Sequence, residues 1–414
     1  MRSLRSDRSA GLGRIAAWAA ILIAQGGLCP ITQAAGSGNG RTAALRANTP
    51  RPAYLGNGKG FAILSAVIAT PTGGVGSPVA YRLQEGRWSP RLLAQAKKDG
   101  FGFVRLIATI MPLMSDDGPA RQTALNWLDA QVAQANKAGL GVSLSLGFWS
   151  GDALAQDKAM PDIALRRKVI RAQTAVAAML ARDPSRRIAL EFISEPHCAP
   201  ATGPNSWQPI QLETWRAIRR VAPKLPLVLT GCRARVDTIV QVDAAPYVQD
   251  PNVIWSFHYY DFFAGQEYEK LRGVPFPPRP ELAGSAAAMA RMVPTRTAES
   301  SPRITANLRD YLLHDKGQAT MRSKIESVAA WARRYRIPAS HVSMNEWAPN
   351  FTNRPENEAI RADTLTWLRT LRQEAERQDF AWAYWSLTPK DLNFEPKTQA
   401  FRSDAKAALG LSGR

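Results

Sequence analysis

Short apolar runs alternate with amphipathic stretches along most of this chain, starting at Phe61. Each run has the length and the β-branched and aromatic content of a buried strand. Eight of them are predicted to be strands: Phe61–Ala69, Phe103–Ala108, Leu140–Phe148, Ile188–Glu195, Pro226–Thr230, Asn252–Tyr260, His341–Glu346 and Phe380–Leu387. Between them apolar residues recur at helical spacing. This spacing predicts helices over Ser89–Asp99, Thr123–Ala138, Asp162–Arg182, Ile210–Ala222, Gln318–Tyr335, Glu356–Gln378 and Thr398–Leu409.

The alternation of strands and helices predicts a parallel sheet in an α/β protein. Eight nearly continuous apolar strands fit a closed (β/α)8 TIM barrel better than an open doubly wound sheet. We therefore predict one barrel domain over residues 54–414. The composition, with 45% hydrophobic and 21% charged residues, is that of a globular protein. No glycine fingerprint for a dinucleotide follows the first predicted strand, and the sequence has no phosphate-binding loop motif.

One interval, residues 261–316, interrupts this alternation with a segment rich in Pro, Arg and Ala. A loop of this length inside a compact domain is either functional or disordered. Because it leaves the sixth strand at the face where barrel active sites lie, we predict an insertion that partly covers a cleft. A plain mobile insertion is the alternative.

Residues 1–35 have the organisation of a secretory signal peptide. Four arginines precede the apolar run Ile15–Ile23, which is too short to span a bilayer, and small residues lead to Ala35. We predict export to the periplasm or out of the cell, with cleavage near Ala35; an uncleaved signal anchor is the alternative. Residues 36–53, rich in Gly, Ser, Asn and Thr, are predicted to be a flexible leader.

The chain is strongly basic, with a formal net charge of +19. Such a charge either attracts an anionic partner, for example an acidic polysaccharide or an envelope surface, or has no specific target. Nucleic acid is disfavoured, because the chain is predicted to be exported and has neither a basic helix nor zinc-finger spacing.

Two carboxyl groups stand at the ends of predicted strands. Glu195 ends the fourth strand and precedes Pro196, and Glu346 ends the seventh strand, with Pro349 shortly after it. Proline has no N–H to give to a sheet, so pairing ends there. Either glutamate alone is readily explained by a cap or a salt bridge. Together they are what a glycosidase needs, one carboxyl as acid/base and one as nucleophile.

Other polar residues belong to the same predicted strands. Arg105, in the second strand, would favour the ionised form of Glu346. Tyr260 would hydrogen-bond Glu346, and His258 would orient the acid or the substrate. Glu191 is predicted to point into the barrel and pair with Arg105 as a structural residue.

Aromatic and sulfur-containing residues add further candidates at this face. Trp385 offers an apolar surface for a sugar ring, and Trp149 and Trp347 suit either that role or core packing. Cys198 and Cys232 leave neighbouring strands at the same end, which makes them candidates for a disulfide bond.

Five segments, in this order and spacing, resemble glycoside hydrolase family 5, the cellulase family within the retaining barrel glycosidases. They are Gly102–Leu106, Glu191–His197, Phe257–Tyr260, Asn345–Trp347 and Tyr384–Leu387. The resemblance extends from about Phe61 to Asn393 and therefore covers nearly the whole mature chain.

The resemblance implies a role for each matching residue. Glu195 matches the acid/base and Glu346 the nucleophile, while Arg105 matches the arginine that supports the nucleophile. His258 and Tyr260 match the pair that flanks the two carboxyls, and the platform under the sugar is matched by Trp385. The implied substrate is a β-linked polysaccharide or oligosaccharide, and neither a metal nor an organic cofactor is expected.

Two positions depart from the family pattern. Ser194 stands where an asparagine ordinarily binds the sugar 2-hydroxyl, and Gly147 and Phe148 end the third strand where many members have a histidine. These changes indicate an altered sugar specificity, a reduced rate or lost catalysis. Our hypothesis is an exported retaining β-glycosidase, foremost an endo-β-glucanase. The alternatives are a β-mannanase, a β-glucosidase or a non-catalytic carbohydrate-binding barrel in envelope or exopolysaccharide processing.

Overall fold

The structure, a computed structural model, describes residues 49–64, 67–69, 81–83, 89–116, 118–148, 162–197, 202–261, 263, 274–291, 300–349, 355–387, 391–395 and 397–411. Eight parallel strands close into a barrel, and this confirms the predicted TIM barrel. In chain order they are β1 (Lys59–Leu64), β4 (Phe103–Thr109), β5 (Gly141–Gly147), β6 (Ile188–Glu191), β7 (Leu227–Arg235), β8 (Val253–Tyr259), β9 (Val342–Trp347) and β10 (Ala381–Tyr384). Separate antiparallel pairs are formed by β2 (Val67–Ala69) with β3 (Tyr81–Leu83), and by β11 (Phe394–Glu395) with β12 (Ala400–Phe401).

Helices follow the barrel strands as the periodicity predicted. Within the described residues they are α1 (Pro90–Lys98), α2 (Gly118–Lys137), α3 (Ile163–Leu180), α4 (Trp207–Val221), α5 (Val236–Ile239), α6 (Ala286–Arg291), α7 (Ser300–His314), α8 (Gln318–Arg334), α9 (Arg361–Arg377) and α10 (Ser403–Ala408). Two helix starts follow from capping residues: Ser89 and Asp162 each accept the backbone N–H three positions on, at 3.1 and 3.0 Å. None of the helices described has the length and apolarity needed to cross a membrane.

The barrel interior is layered, and this layering positions the polar groups. At the bottom, Tyr54 and Phe103 fill the lumen together with small and aliphatic residues of β6, β7, β8 and β10. Gly60 makes room for this plug, since a Cβ there would lie 2.4 Å from the Phe103 ring. Above the plug lies a buried polar layer that includes Arg105 and Glu191. Charged side chains are therefore concentrated towards the carboxyl ends of the strands, where barrel active sites lie.

Three boundaries differ from the prediction. The first predicted strand is split into β1 and β2. The strand β6 ends at Glu191 and not at Glu195. Phe192 and Ile193 are buried but do not pair with β5, so their apolar character reflects packing and not membership of the strand. The last residues of the predicted leader contact the barrel, since the carbonyl of Thr49 accepts a hydrogen bond from Ser340 at 2.9 Å; residues 36–48 lie outside the described residues, so the rest of the leader stays a prediction. The predicted signal peptide lies outside the described residues.

The insertion after the sixth barrel strand contains helices that the sequence reading missed. Its helix α7 buries Ile304, Leu308, Tyr311 and Leu312, which follow a helical period that the Pro- and Arg-rich flanks obscured. The hydroxyl of Tyr311 donates to the carbonyl of Pro275 at 2.8 Å. Residues 264–273 and 292–299 lie outside the described part, so cover of the cleft stays a prediction.

Candidate active site

Arg105 organises the polar layer beneath the barrel mouth. Its side chain is fully buried, and its Nε and Nη2 atoms donate to the two carboxylate oxygens of Glu191 at 2.8 and 2.7 Å. Asn345 donates to the same carboxylate at 3.0 Å. The expected pairing of Glu191 with Arg105 is therefore present. A buried ion pair of this kind needs its remaining polar atoms satisfied, and Asn345 contributes to that.

The same guanidinium also holds Glu346. Nη1 of Arg105 lies 2.6 Å from Oε2 of Glu346, and the hydroxyl of Tyr260 donates to Oε1 at 3.1 Å. Both oxygens of this carboxylate are thus fixed, although 11% of the Glu346 side chain remains exposed to the cleft. The two contacts fix the orientation of the Glu346 carboxylate in the lumen.

A bulge in β9 turns Glu346 towards the interior. Ser343 pairs with Ser256 and Met344 with Phe257, but the next pair is Glu346 with His258, so β9 carries one extra residue. The pairing of β9 with β10 shifts at the same place. A bulge re-aims the side chains that follow it. Here it allows Asn345 and Glu346 both to reach the polar groups of the lumen.

Glu195 reaches the mouth from the end of β6. It follows β6 by a short connection whose Ser194 N–H donates to the carbonyl of Leu146 at 3.0 Å. One carboxylate oxygen of Glu195 lies 2.8 Å from Nδ1 of His258, and 53% of the side chain is exposed. Glu195 therefore faces solvent where a substrate can reach it, while Glu346 lies deeper.

The two carboxyl groups converge on one point. Glu195, His258 and Glu346 each present one oxygen or nitrogen atom, and these atoms lie within 4.8 Å of one another. Such a set can also hold a cation. However, the Arg105 guanidinium already occupies Oε2 of Glu346 and would repel a metal ion placed there. The arrangement favours chemistry by the carboxyl groups themselves.

Glu195 and Tyr260 differ in the direction in which the site shifts their pKa values. The surrounding cleft removes part of the water around Glu195 and so raises the pKa of its carboxyl, but the hydrogen bond and charge of His258, with the charges of Arg105 and Arg233, hold this pKa below its ordinary value. Burial and the nearby negative charge of Glu346 raise the pKa of Tyr260 well above its usual range. Tyr260 therefore remains a hydrogen-bond donor, and Glu195 is ionised in the free site.

The sequence profile of one protein family covers most of this chain. The family is described as Cellulase (glycosyl hydrolase family 5), and the match covers residues 75–391. The chain belongs to this family. It is therefore a glycoside hydrolase by descent, and the site at the barrel mouth is the candidate active site of a family 5 hydrolase. No curated protein sequence matches the chain.

Solved structures show the same fold at low sequence identity. Endoglucanase Cel5A from the hyperthermophilic Thermotoga maritima superposes with a TM-score of 0.60 and 16% identity, covering 87% of this chain and 98% of that one. A hyperthermophilic endo-β-1,4-glucanase in complex with substrate gives a TM-score of 0.60 and 18% identity over 87% and 100% of the chains. The cellulose synthase subunit Z (CcsZ) from Clostridioides difficile gives 0.58 and 18% over 85% and 98%.

Two further candidates, Ser194 and Trp385, follow barrel strands at the mouth of this family 5 hydrolase. The hydroxyl of Ser194 accepts a hydrogen bond from Nη2 of Arg105 at 2.8 Å, and its O–H can still donate to a sugar. Trp385 directly follows β10 at the mouth and is half-buried. Phe148, at the end of β5, packs partly against the core.

The structure corrects one prediction and leaves two untested. Trp347 was a candidate for sugar stacking, but its side chain is fully buried against the rings of Trp367, Trp382 and Tyr384. Since Glu346 faces the lumen, the next residue along the strand faces the surrounding helices. Trp149 lies outside the described residues. Cys232 is disulfide-bonded, but Cys198 is not described, so their pairing stays a prediction.

Sequence reasoning missed the role of Asn345. The residue is almost wholly buried and connects β9 to Glu191. An asparagine directly before a strand-end glutamate, inside an otherwise apolar strand, is the signal that could have revealed it. A buried amide is expected to have a hydrogen-bond partner.

Proposed function

We propose that this family 5 hydrolase is an exported retaining β-glycosidase, foremost an endo-β-glucanase. The observation that carries the proposal is the approach of Glu195 and Glu346, whose oxygens come within 4.8 Å. Retaining glycosidases place their two carboxyl groups about 5–5.5 Å apart, whereas inverting enzymes leave about 6.5–9.5 Å for a water molecule. The separation therefore supports double displacement.

In the first step Glu346 attacks the anomeric carbon while Glu195 gives its proton to the departing oxygen. Arg105 and Tyr260 hold the attacking carboxylate in place. The bond from the anomeric carbon to the leaving oxygen breaks as the ester to Glu346 forms. In the second step Glu195 takes a proton from water, the water oxygen attacks the same carbon, and Glu346 is released.

The protonation of Glu195 must therefore change during the cycle. In the free site its pKa lies below the ordinary value. A bound saccharide covers the exposed carboxyl and removes water from it, which favours the neutral acid. Once Glu346 has become an ester, its negative charge no longer opposes ionisation of Glu195, which suits the base of the second step.

The substrate class follows from the cleft and from the relatives. Trp385 offers a ring face, and Ser194 a hydroxyl, for a pyranose next to the two carboxyls. Among solved relatives, one endo-β-1,4-glucanase is described in complex with substrate, and Thermotoga maritima Cel5A in complex with mannotriose. These complexes support a β-glucan substrate and keep a β-mannan as the direct competitor.

Export is the second part of the proposal. It is supported by the arginine-led apolar segment at the start of the chain and by the disulfide bond of Cys232. Disulfide bonds persist mainly in oxidising compartments such as the periplasm or the exterior. The basic charge of +19 suits attraction to an anionic polysaccharide or envelope surface there.

A substrate screen tests the proposed activity. The protein is incubated with a neutral β-glucan, a β-mannan and short β-glucosides, and the reducing ends and product lengths are measured. We expect oligosaccharides of several lengths from the glucan. Release from mannan alone would establish a β-mannanase, and release of single glucose units a β-glucosidase. Polysaccharide binding without any new reducing ends would contradict the proposal and indicate a non-catalytic barrel.

A further inference from the structure

An irregular segment of β7 lies beside Glu195. Thr230 pairs with Ser256, and the next pair is Arg235 with His258. Four residues of β7, 231–234, therefore lie opposite the single residue Phe257 of β8. Within this segment Arg233 and Ala234 have φ angles of +50° and +51°. Two consecutive non-glycine residues in the left-handed region are uncommon and persist only where the surroundings enforce them.

Several contacts hold this segment in place. The N–H of Arg233 donates to the carbonyl of Pro196 at 2.8 Å, which ties it to the residue directly after Glu195. The hydroxyl of Thr238 donates to the carbonyls of Cys232 and Arg235. Cys232 is disulfide-bonded. A Cβ on Gly231 would lie 2.7 Å from the backbone nitrogen of Ile239, so only glycine fits that close approach to α5.

The side chain that this segment presents is an exposed arginine. Arg233 makes no ion pair with any residue in the described part of the chain, whereas Arg235, two positions on, pairs with Asp237 at 3.0 Å. The hydrogen bond to Pro196 and the pairing of Arg235 with His258 place Arg233 at the end of the barrel that carries Glu195, and its charge is the smallest of the contributions that lower the pKa of Glu195. Because Glu195 delivers its proton to the leaving oxygen, a group on its side of the cleft faces the sugar that leaves.

A cation that has no carboxylate partner in the described part of the chain is unfavourable here for a neutral substrate. It stabilises the ionised form of Glu195, while the first step requires the protonated form. An anion on the leaving sugar would bind the guanidinium and cancel its effect on Glu195. The rigid backbone also means that little ordering is needed to bind such an anion.

We propose that Arg233 binds an anionic group, a carboxylate or a phosphate ester, carried by the sugar on the leaving-group side of the cleaved bond. This inference rests on the proposed function and specifies its substrate further. Arginine suits the task because its planar fork binds carboxylate and phosphate oxygens in pairs. The preferred substrate is then a β-linked polysaccharide that carries negative charges.

The test compares one β-glucan in three forms: neutral, oxidised in part to glucuronate at C6, and phosphorylated in part at C6. The variants are Arg233→Gln, Arg233→Lys and, as matched control on the same segment, Arg235→Gln. We expect the wild-type protein to favour one charged form by about tenfold in kcat/KM, as one charge-assisted contact provides. Arg233→Gln should lose the preference, Arg233→Lys should keep part of it, and Arg235→Gln should keep it fully.

Product analysis adds a positional readout. The sugar next to the cleaved bond becomes the non-reducing end of the released fragment, so charged units should be enriched there for the wild-type protein and not for Arg233→Gln. Whether glucuronate or glucose phosphate is enriched at this end shows whether Arg233 prefers a carboxylate or a phosphate ester. An equal preference in the wild-type protein and Arg233→Gln, or no enrichment, would overturn the proposal.

A failure of the proposed function is recognised separately. An aryl β-cellobioside with a good leaving group needs neither an anionic sugar nor an acid, so its hydrolysis by the wild-type protein reports the activity alone. If that activity is absent, calorimetric binding of glucuronate-bearing and neutral oligosaccharides to the wild-type protein and Arg233→Gln decides the inference. Tighter binding of the charged form that depends on Arg233 supports it, and equal binding refutes it.

Discussion

Nη1 of Arg105 lies 2.6 Å from Oε2 of Glu346, while the Nε and Nη2 atoms of the same guanidinium bind both oxygens of Glu191. One fully buried cation thus joins the interior of the barrel to the deeper carboxyl of the cleft. The stability of the lumen and the orientation of Glu346 consequently depend on the same side chain.

Replacing Arg105 should affect stability and activity together. Arg105→Met leaves Glu191 charged and without its cation, and breaking a buried pair in this way costs about 3–5 kcal/mol. Arg105→Lys should recover part of the stability, because a lysine provides the charge but not the fork. Denaturant unfolding measures both variants. The control Arg402→Gln, in an exposed pair with Glu358, should change stability by less than about 1 kcal/mol.

Glu346→Gln should lower kcat by about 10⁴-fold or more, because an amide cannot form the glycosyl ester. The substitution is nearly isosteric, so the folded protein is expected and circular dichroism should be unchanged. Steady-state kinetics on the best glucan of the screen measures the effect. Activity near that of the wild-type protein would show that Glu346 is not the nucleophile.

Glu195→Ala should discriminate between leaving groups. Loss of a general acid typically costs about 10²–10⁴-fold, and this loss should appear in full on a polysaccharide. An aryl glycoside with a good leaving group needs no protonation and should form the intermediate at nearly the normal rate, measured as a burst of the released phenol. Equal losses on both substrates would contradict the assignment.

Asp391 should make stability depend on pH. Burial raises the pKa of Asp391 to about 7, although the Tyr384 hydroxyl donates to it at 2.8 Å. Between about pH 4 and 7 the unfolded chain then loses this proton while the folded chain keeps it. Stability therefore falls as pH rises through this window, by up to about 4 kcal/mol.

Asp391→Asn removes this contribution. The difference in unfolding free energy between the variant and the wild-type protein should shift in favour of the variant from pH 4 to 7 and be constant above about pH 8. Thermal unfolding across this range provides the measurement. A difference that does not change with pH would show that Asp391 stays ionised in the folded protein.

The proximity of Glu195 and Glu346 could be expected from the sequence, because strand order and direction place both residues at one face of a barrel. The exact end of β6 could not be predicted, since apolar residues such as Phe192 and Ile193 occur in a sequence both where a strand continues and where a loop is buried. Trp347 was misplaced for a related reason. The bulge in β9 decides which of its neighbours faces the lumen, and a bulge depends on register with two other strands.

Other features depend on long-range contacts that a sequence does not display. The sequence gives no sign that Arg233 belongs to the site. Its position near Glu195 depends on left-handed backbone angles and on a hydrogen bond to Pro196. The apolar residues of α7 do recur at helical spacing, but the proline-rich sequence around them favoured the prediction of a loop. Local pattern thus predicts the elements and their order, and tertiary pairing decides where a strand ends and which side chains reach the cleft.

Trapping of the covalent intermediate tests the central claim most directly. The protein is incubated with a fluorinated cellobioside that carries a dinitrophenyl leaving group, and its mass is then measured before and after peptide digestion. The account predicts a mass increase of one fluorocellobiosyl group, located on the peptide that contains Glu346. A label on another residue, or turnover without any label and with inversion at the anomeric carbon, would contradict it.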